Sequence, residues 1–476
     1  MLKLLISLPI LGFFSILLFN KSYGRLLGMI STIITMYISL YMLLRMNNNN
    51  IEYQYRDQIS LEYIRISLGI DGISMSLILV TTILIPILIL LKERDNTTDL
   101  VEIVKILLFI ESMLIFLFSS LDLFIFFLFF ELLLIPMFLL IGKYGSKEKR
   151  VEAAYRFLGV SIMGSLLMLI SIIIINIKFG STNNEIIMLK LFHYSNSLIL
   201  SFLWLSLFFS FAIKVPIFPF HTWLPFVHVE APTIGSMLLA GIMLKLGTYG
   251  IIRYTINMLG EINEYYMPII IIMAILSIVY GSLTTIRQID LKKIIAYSSI
   301  VHMNYAILGF FTNEIEGING GNYLMISHAF VSCGLFLLIG IIYKRYHSRV
   351  LFYYSGLVLT MPIFATFFIL LTLANVSLPL TSSFISEILI IISTFKINFF
   401  VGSLISLSLI LSTTYAFWLS NRLLFGEFSR YLKNSLDMTK TEIIAALPLI
   451  IITIFLGLNT KILLGIFTLP VTNLIF

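Results

Sequence analysis

Long apolar runs, separated by short polar connections, dominate the chain. They fall near residues 2–19, 25–45, 70–91, 101–119, 121–142, 151–177 and 198–220, then near 233–254, 266–286, 292–311, 321–346, 356–396, 401–425 and 441–459. Runs of about 20 apolar residues are the length of a membrane-spanning helix, so the pattern predicts an all-α integral membrane protein with about fourteen crossings. The run 356–396 is too long for one straight span and holds Pro379, which predicts a broken twelfth helix. The seventh is interrupted in the same manner by Pro216 and Pro219, just after Lys214. Proline removes a backbone donor and clashes one turn back, so each break exposes polar backbone that only protein or trapped water can satisfy in lipid. Interrupted helices at corresponding places in two halves point to inverted repeats around an ion site. The expected organisation is a single polytopic domain over 1–476. It comprises three N-terminal helices in 1–100, a first repeat in 101–255, a second in 260–425, and a C-terminal helix in 440–476.

Composition strengthens this picture. Of 476 residues, 59% are hydrophobic and only 12% charged, against about 25% charged in a soluble domain. The apolar N-terminus lacks a small-residue cleavage site and reads as the first span rather than a signal peptide. The formal charge of +7 does not indicate nucleic acid, because the basic residues sit in connections between apolar runs. The odd-numbered connections are the richer, with Lys21, Lys92, Arg94, Lys143, Lys147, Arg287, Lys292, Lys293, Arg345 and Lys433 among their residues. The other face has about half as many, including Arg56, Lys178, Lys190 and Lys396. The positive-inside rule places the odd connections in the matrix or cytoplasm and both termini opposite. The longest polar connection is 46–69. The single cysteine, Cys333, cannot form a disulfide, a cluster or a four-ligand zinc site alone. Gly317, Gly320 and Gly321 read as loop residues and make no phosphate cradle, and no dinucleotide fingerprint follows a strand.

Six ionisable residues lie within apolar runs: Glu131, Lys214, Lys245, His302, His328 and Glu387. Insertion scales charge about 2.5–3.5 kcal/mol for a Lys or Asp at a helix centre, so such groups face the bundle interior and pair with one another. As static glue between helices they need no further role. Spread over separate helices, they describe a proton path instead. In that reading Glu131 holds Lys214 charged when near and lets it release a proton when far, His302 and His328 relay, and Glu387 terminates the row. Asp71 suits the start of the third helix, where a carboxylate complements the dipole. Glu111 is a candidate second carboxylate, and His221, His228 and Glu230 lie close in sequence without an established metal-ligand spacing.

The stretch AIKVPIFPFHTWLPFVHVEAPTIGSMLLAGIMLKLGTYG, from Ala212 to Gly250, resembles the signature of the antiporter-like membrane subunits of respiratory complex I, NADH:ubiquinone oxidoreductase. The resemblance extends to DGISMSLIL at Asp71, FFELLLIPMFLLIGKYG around Glu131, RQIDLKKIIAYSSIVHM at Arg287, SHAF at Ser327 and LPLTSSFISE ending at Glu387. It implies fourteen helices with two inverted five-helix repeats and broken helices 7 and 12. Glu131 and Lys214 become the paired charges of the first half, Lys245 the central lysine, His302 and His328 the hydrophilic axis, and Glu387 the distal acid. It further implies a proton-translocating subunit in the mitochondrial inner membrane, with NADH, FMN, iron–sulfur clusters and ubiquinone bound by other subunits and no cofactor here. Expected partners are the other complex I subunits, above all the antiporter-like subunits 2 and 5, accessory subunits, and lipids such as cardiolipin. Phe226 and Val227 depart from the usual pair before HVEAP, and Ser386 replaces a common Gly before the distal acid; neither removes a titratable group. Rival readings are an autonomous cation/proton antiporter subunit and a purely structural spacer.

Overall fold

The computed structural model describes all residues except 19–22, 48–51, 61–64, 92–96, 147, 192, 193, 195, 433–435 and 476. Lys21, Lys92, Arg94, Lys147 and Lys433, counted in the charge bias between the two faces, lie outside the described residues. The chain is helical almost throughout and folds as two compact units. The first takes Met1–Lys214, Tyr249–Tyr266 and Gly465–Phe476; the second takes Val215–Thr248 and Met267–Leu464.

Among the described residues ten helices are long and apolar enough to cross a membrane. Their mean hydropathy runs from 1.4 to 2.8, and their burial does not follow it. Gly24–Arg45 and Phe399–Leu424 bury only 33% of their most apolar window, whereas Ile315–Tyr346 buries 94% and Thr233–Ile256 buries all of it. Hydropathy alone does not separate lipid-facing from protein-buried helices. The two most buried of these helices carry Lys245 and His328, ionisable groups placed away from lipid.

In the first unit, Leu2–Leu18 packs on Gly24–Arg45 and both pack on Thr97–Ser119. Gly28 permits that approach: a Cβ there would stand 2.4 Å from Val104 Cγ1. The polar connection after residue 45 carries a small two-stranded sheet beside the helices. It forms an antiparallel hairpin, Gln54–Ser60 with Arg65–Ile70, paired Gln54 to Ile70 and Asp57 to Leu68 with an irregularity between. The hairpin leads into Gly72–Leu90, capped by Asp71, whose side chain accepts the Ser74 N–H at 2.8 Å while Ser74 Oγ accepts the Asp71 N–H at 2.9 Å. Two further helices emerge that the apolar runs did not separate: Asn184–Leu191, and Thr460–Ile475 following Lys440–Leu458.

In the second unit, Ile315–Tyr346 is the central helix, packed against Leu291–Phe310, Ser382–Ile397 and Lys440–Leu458. Gly317, Gly320 and Gly321, expected in a loop, lie inside this helix. Their role is close approach rather than turning. A Cβ on Gly320 would fall 2.9 Å from the Ser386 carbonyl oxygen, one residue before Glu387.

Both expected helix breaks are present. Ser197–Lys214 stops before Pro216, and helix resumes at Trp223–Glu230. Pro362–Asn375 stops before Pro379, and helix resumes at Ser382–Ile397. Within the second unit the freed backbone finds side-chain partners: the Phe218 N–H donates to Ser277 Oγ at 2.8 Å, and Ser383 Oγ donates to the Ala374 carbonyl. A third interruption falls at Leu133, between Leu123–Leu132 and Leu134–Tyr144. Pro136 accounts for it, since it leaves the Leu132 carbonyl without an N–H partner and crowds that turn.

Candidate charged axis of the two units

Glu131 is the penultimate residue of Leu123–Leu132, and Lys214 is the last of Ser197–Lys214. Both thus sit where a helix ends inside the first unit, not in mid-helix. Lys214 is 3% exposed. Its Nζ donates to Ser161 Oγ at 3.0 Å and faces the rings of Phe130 and Phe157 at 4.9 and 5.0 Å. The two rings present their negative faces to the ammonium, which replaces part of its lost hydration. No direct ion pair joins Lys214 to Glu131 among the described residues. Glu131 Oε1 is itself buried without a hydrogen-bond partner.

The second unit holds Lys245, His302, His328 and Glu387. Lys245 lies fully buried just after a π-helical turn, Leu239–Met243, and its Nζ donates to the Ala240 carbonyl of that turn at 2.6 Å. The same Nζ stands 2.8 Å from His328 Nδ1. Two nitrogens at that distance share one proton: either the ammonium donates to a bare Nδ1, or Nδ1–H donates to a neutral amine. On the other side, His302 Nδ1 and Glu387 Oε1 are 3.0 Å apart, both side chains nearly sealed from solvent. Since an ionised carboxylate only accepts, that contact with Glu387 in its charged form takes the proton from His302 Nδ1. His302 Nε2 has no partner, and the two imidazole centroids are 5.8 Å apart. The order Lys245, His328, His302, Glu387 is therefore a run of two close pairs with one wider step between them.

Other candidates take different places. Glu111 is fully buried and accepts a hydrogen bond from Thr35 Oγ1 at 2.7 Å, in the first unit. His228 is buried and stacked on Phe336 at 4.6 Å, and His221 packs on Phe218. No group of three His, Cys, Asp or Glu side chains able to hold a metal is found among the described residues. Lys292, counted among the basic residues of the odd-numbered connections, opens the helix Leu291–Phe310. It is buried, and its Nζ donates to the Ala231 carbonyl at 2.9 Å and to Ser236 Oγ at 3.0 Å.

One buried charge escaped the reading of the sequence. Arg253, in the apolar run YGIIRYTI, is 6% exposed and donates from Nη1 to Asp71 Oδ2 at 2.7 Å. The rule that singled out Lys245 eight residues earlier would have found it, because arginine in such a run is as costly. Asp71 thus serves as both helix cap and counter-ion.

Comparison with known proteins adds the following. The family described as NADH:quinone oxidoreductase/Mrp antiporter, TM, matches residues 120–412. The NADH-ubiquinone oxidoreductase chain 4 of Marchantia polymorpha is 44% identical over 99% of this chain and 96% of its own length. Chain 4 of Arabidopsis thaliana is 41% identical over the same shares. Among solved structures, a chain of respiratory complex I from Thermus thermophilus with bound NADH superposes with a TM-score of 0.88 at 27% identity, over the full length of both. A chain of the Mrp complex from Dietzia sp. DQ12-45-1b shares the fold, with a TM-score of 0.89 at 18% identity, over 100% of this chain and 97% of that one.

Proposed function

The chain belongs to the NADH:quinone oxidoreductase/Mrp antiporter transmembrane family, and from that membership we propose that it is a proton-translocating subunit of a respiratory NADH:ubiquinone oxidoreductase. NADH oxidation and ubiquinone reduction take place on other subunits, which carry the FMN and clusters, and this chain converts the resulting change in field into transfer of a proton. The near full-length identity with chain 4 of two plants favours this over a cation/proton antiporter subunit.

The observation that carries the mechanism is the buried run Lys245–His328 and His302–Glu387, at 2.8 and 3.0 Å. A proton held by Lys245 passes to His328 Nδ1 along their shared hydrogen bond. It reaches the unpartnered His302 Nε2 by way of a water or a ring rotation. His302 then releases the Nδ1 proton to Glu387, so that the imidazole accepts at one nitrogen while donating at the other. In the first unit Lys214 gains and loses its proton as Glu131 nears or recedes. Its Ser161 hydroxyl and two aromatic faces hold the ammonium in place without fixing it in a direct ion pair, which leaves its charge free to respond. Moving one charge against 100 mV costs about 2.3 kcal/mol, on the scale of one such pair rearranging.

The chain sits in the mitochondrial inner membrane with about fourteen crossings arranged as two inverted repeats, 101–255 and 260–425, and both termini in the intermembrane space. It carries no cofactor and adjoins the antiporter-like subunits 2 and 5. Blue-native separation of solubilised organelle membranes tests the assignment: the chain is expected to co-migrate with NADH-oxidising activity in one large complex. Migration with cation/proton antiport activity, apart from NADH oxidation, would assign it to the alternative.

A further inference from the structure

A cavity of about 230 Å³ opens into the first unit beside the hairpin connection. Its rim carries the half-exposed pair Arg56–Glu185, at 2.9 Å, and its floor the buried pair Arg253–Asp71, at 2.7 Å. Tyr53 and Tyr249 wall it, with the Arg253 guanidinium over their rings at 4.6 and 5.9 Å. Burial pushes the Tyr53 phenol above its ordinary value, so that ring is neutral at physiological pH.

Arg253 spends only Nη1 on Asp71. Nε and Nη2, which form the other two-donor edge of the fork, are buried over the Tyr53 and Tyr249 rings without a hydrogen-bond acceptor in bonding geometry. A buried donor left unsatisfied costs about 1–3 kcal/mol, so this edge calls for an acceptor inside the cavity. Two kinds fit the geometry, an oxyanion or water. The lining decides between them: Arg56 and Arg253 are each neutralised by a carboxylate, and Glu52 adds a further negative charge. An oxyanion would enter a site already net negative, whereas water meets the same donors without that repulsion. The volume holds several waters at about 30 Å³ each.

We propose that Arg253 anchors a chain of ordered waters in a vestibule that opens the first unit to the aqueous phase on the side of the 46–69 connection. The unit thereby has an aqueous port outside the six charged groups, through which protons equilibrate with that compartment.

Hydroxyl-radical footprinting of the intact complex in its membrane tests this. Tyr249, 1% exposed by geometry alone, is expected to be oxidised at least tenfold faster than Tyr305, which is buried and bonded to Ser408. Arg253→Lys keeps a cation for Asp71 but loses the two-donor edge, and should slow Tyr249 labelling at least threefold while leaving Tyr305 unchanged. Equal protection of Tyr249 and Tyr305 overturns the proposal. So does protection lifted only by delipidation, which would assign the site to a lipid headgroup, or labelling indifferent to Arg253→Lys. None of these readouts involves pumping, so a dry cavity leaves the proposed function standing.

Discussion

Lys245 Nζ and His328 Nδ1 are 2.8 Å apart, both side chains buried and 83 residues distant in the chain. One proton lies between two nitrogens there, and its position is decided by the charge around it. A transfer role and a bonding role for His328 predict different rescue. His328→Ala should lower pumping per assembled complex at least tenfold. His328→Gln supplies an amide that can bond to Lys245 but cannot carry a proton, so it should remain as low. Recovery in the Gln variant, measured as ΔpH formation normalised to complex content, would reduce His328 to a hydrogen-bond partner.

The His302–Glu387 pair predicts non-additivity. Removing either partner leaves the other buried alone, so each single alanine variant carries most of the loss. The double variant should fall short of the sum by about 1–3 kcal/mol in the free energy of coupled turnover. Rates of NADH-driven pumping in the four-member cycle check this, and strict additivity would mean that the two do not act together.

Ser161 supplies the hydrogen bond to Lys214 Nζ. Ser161→Ala should cost about 1–3 kcal/mol by leaving that donor unpaired, seen as a roughly 5- to 150-fold drop in pumping, with the complex still assembled on blue-native gels. Ser161→Thr retains the hydroxyl and should recover most of it.

Close helix packing around Glu387 gives a prediction about assembly. Gly320→Ala sets a methyl 2.9 Å from the Ser386 carbonyl, a backbone atom that cannot step aside cheaply. The expected penalty is about 1–3 kcal/mol, visible as a several-fold loss of assembled complex, with the surviving fraction pumping at a reduced rate. Ser386→Gly adds nothing to clash; it loses the Ser386 hydroxyl bond to the Ser383 carbonyl and up to about 1 kcal/mol of helix propensity, and should lower abundance less than Gly320→Ala does.

Much of this was legible in the residues because lipid imposes a strict rule. Apolar length predicts spans, and Pro216 and Pro219 after Lys214, like Pro379 before Glu387, marked the two breaks where helices do end. The six ionisable residues within apolar runs were visible for the same reason, and five of them, all but the half-buried Glu131, are buried. What was not visible depends on three-dimensional contact. In the hairpin, Arg65–Ile70 does alternate, with Ile66, Leu68 and Ile70 on one face, but it is shorter than the neighbouring apolar runs and its partner Gln54–Ser60 is largely polar; the glycines of Ile315–Tyr346 look like turn residues until their neighbours are known. Whether a lysine pairs directly or through a serine and two rings, as Lys214 does, is a matter of angstroms that no spacing encodes.

The account rests on buried ionisable groups that exchange protons under an external field, and Glu131 tests it most directly. Glu131→Gln keeps the shape and deletes the charge that acts on Lys214. The decisive measurement is NADH-driven proton pumping per assembled complex, with content fixed by NADH oxidation through an artificial electron acceptor. A fall of tenfold or more with assembly intact is the predicted result; full coupled pumping in that variant would contradict it.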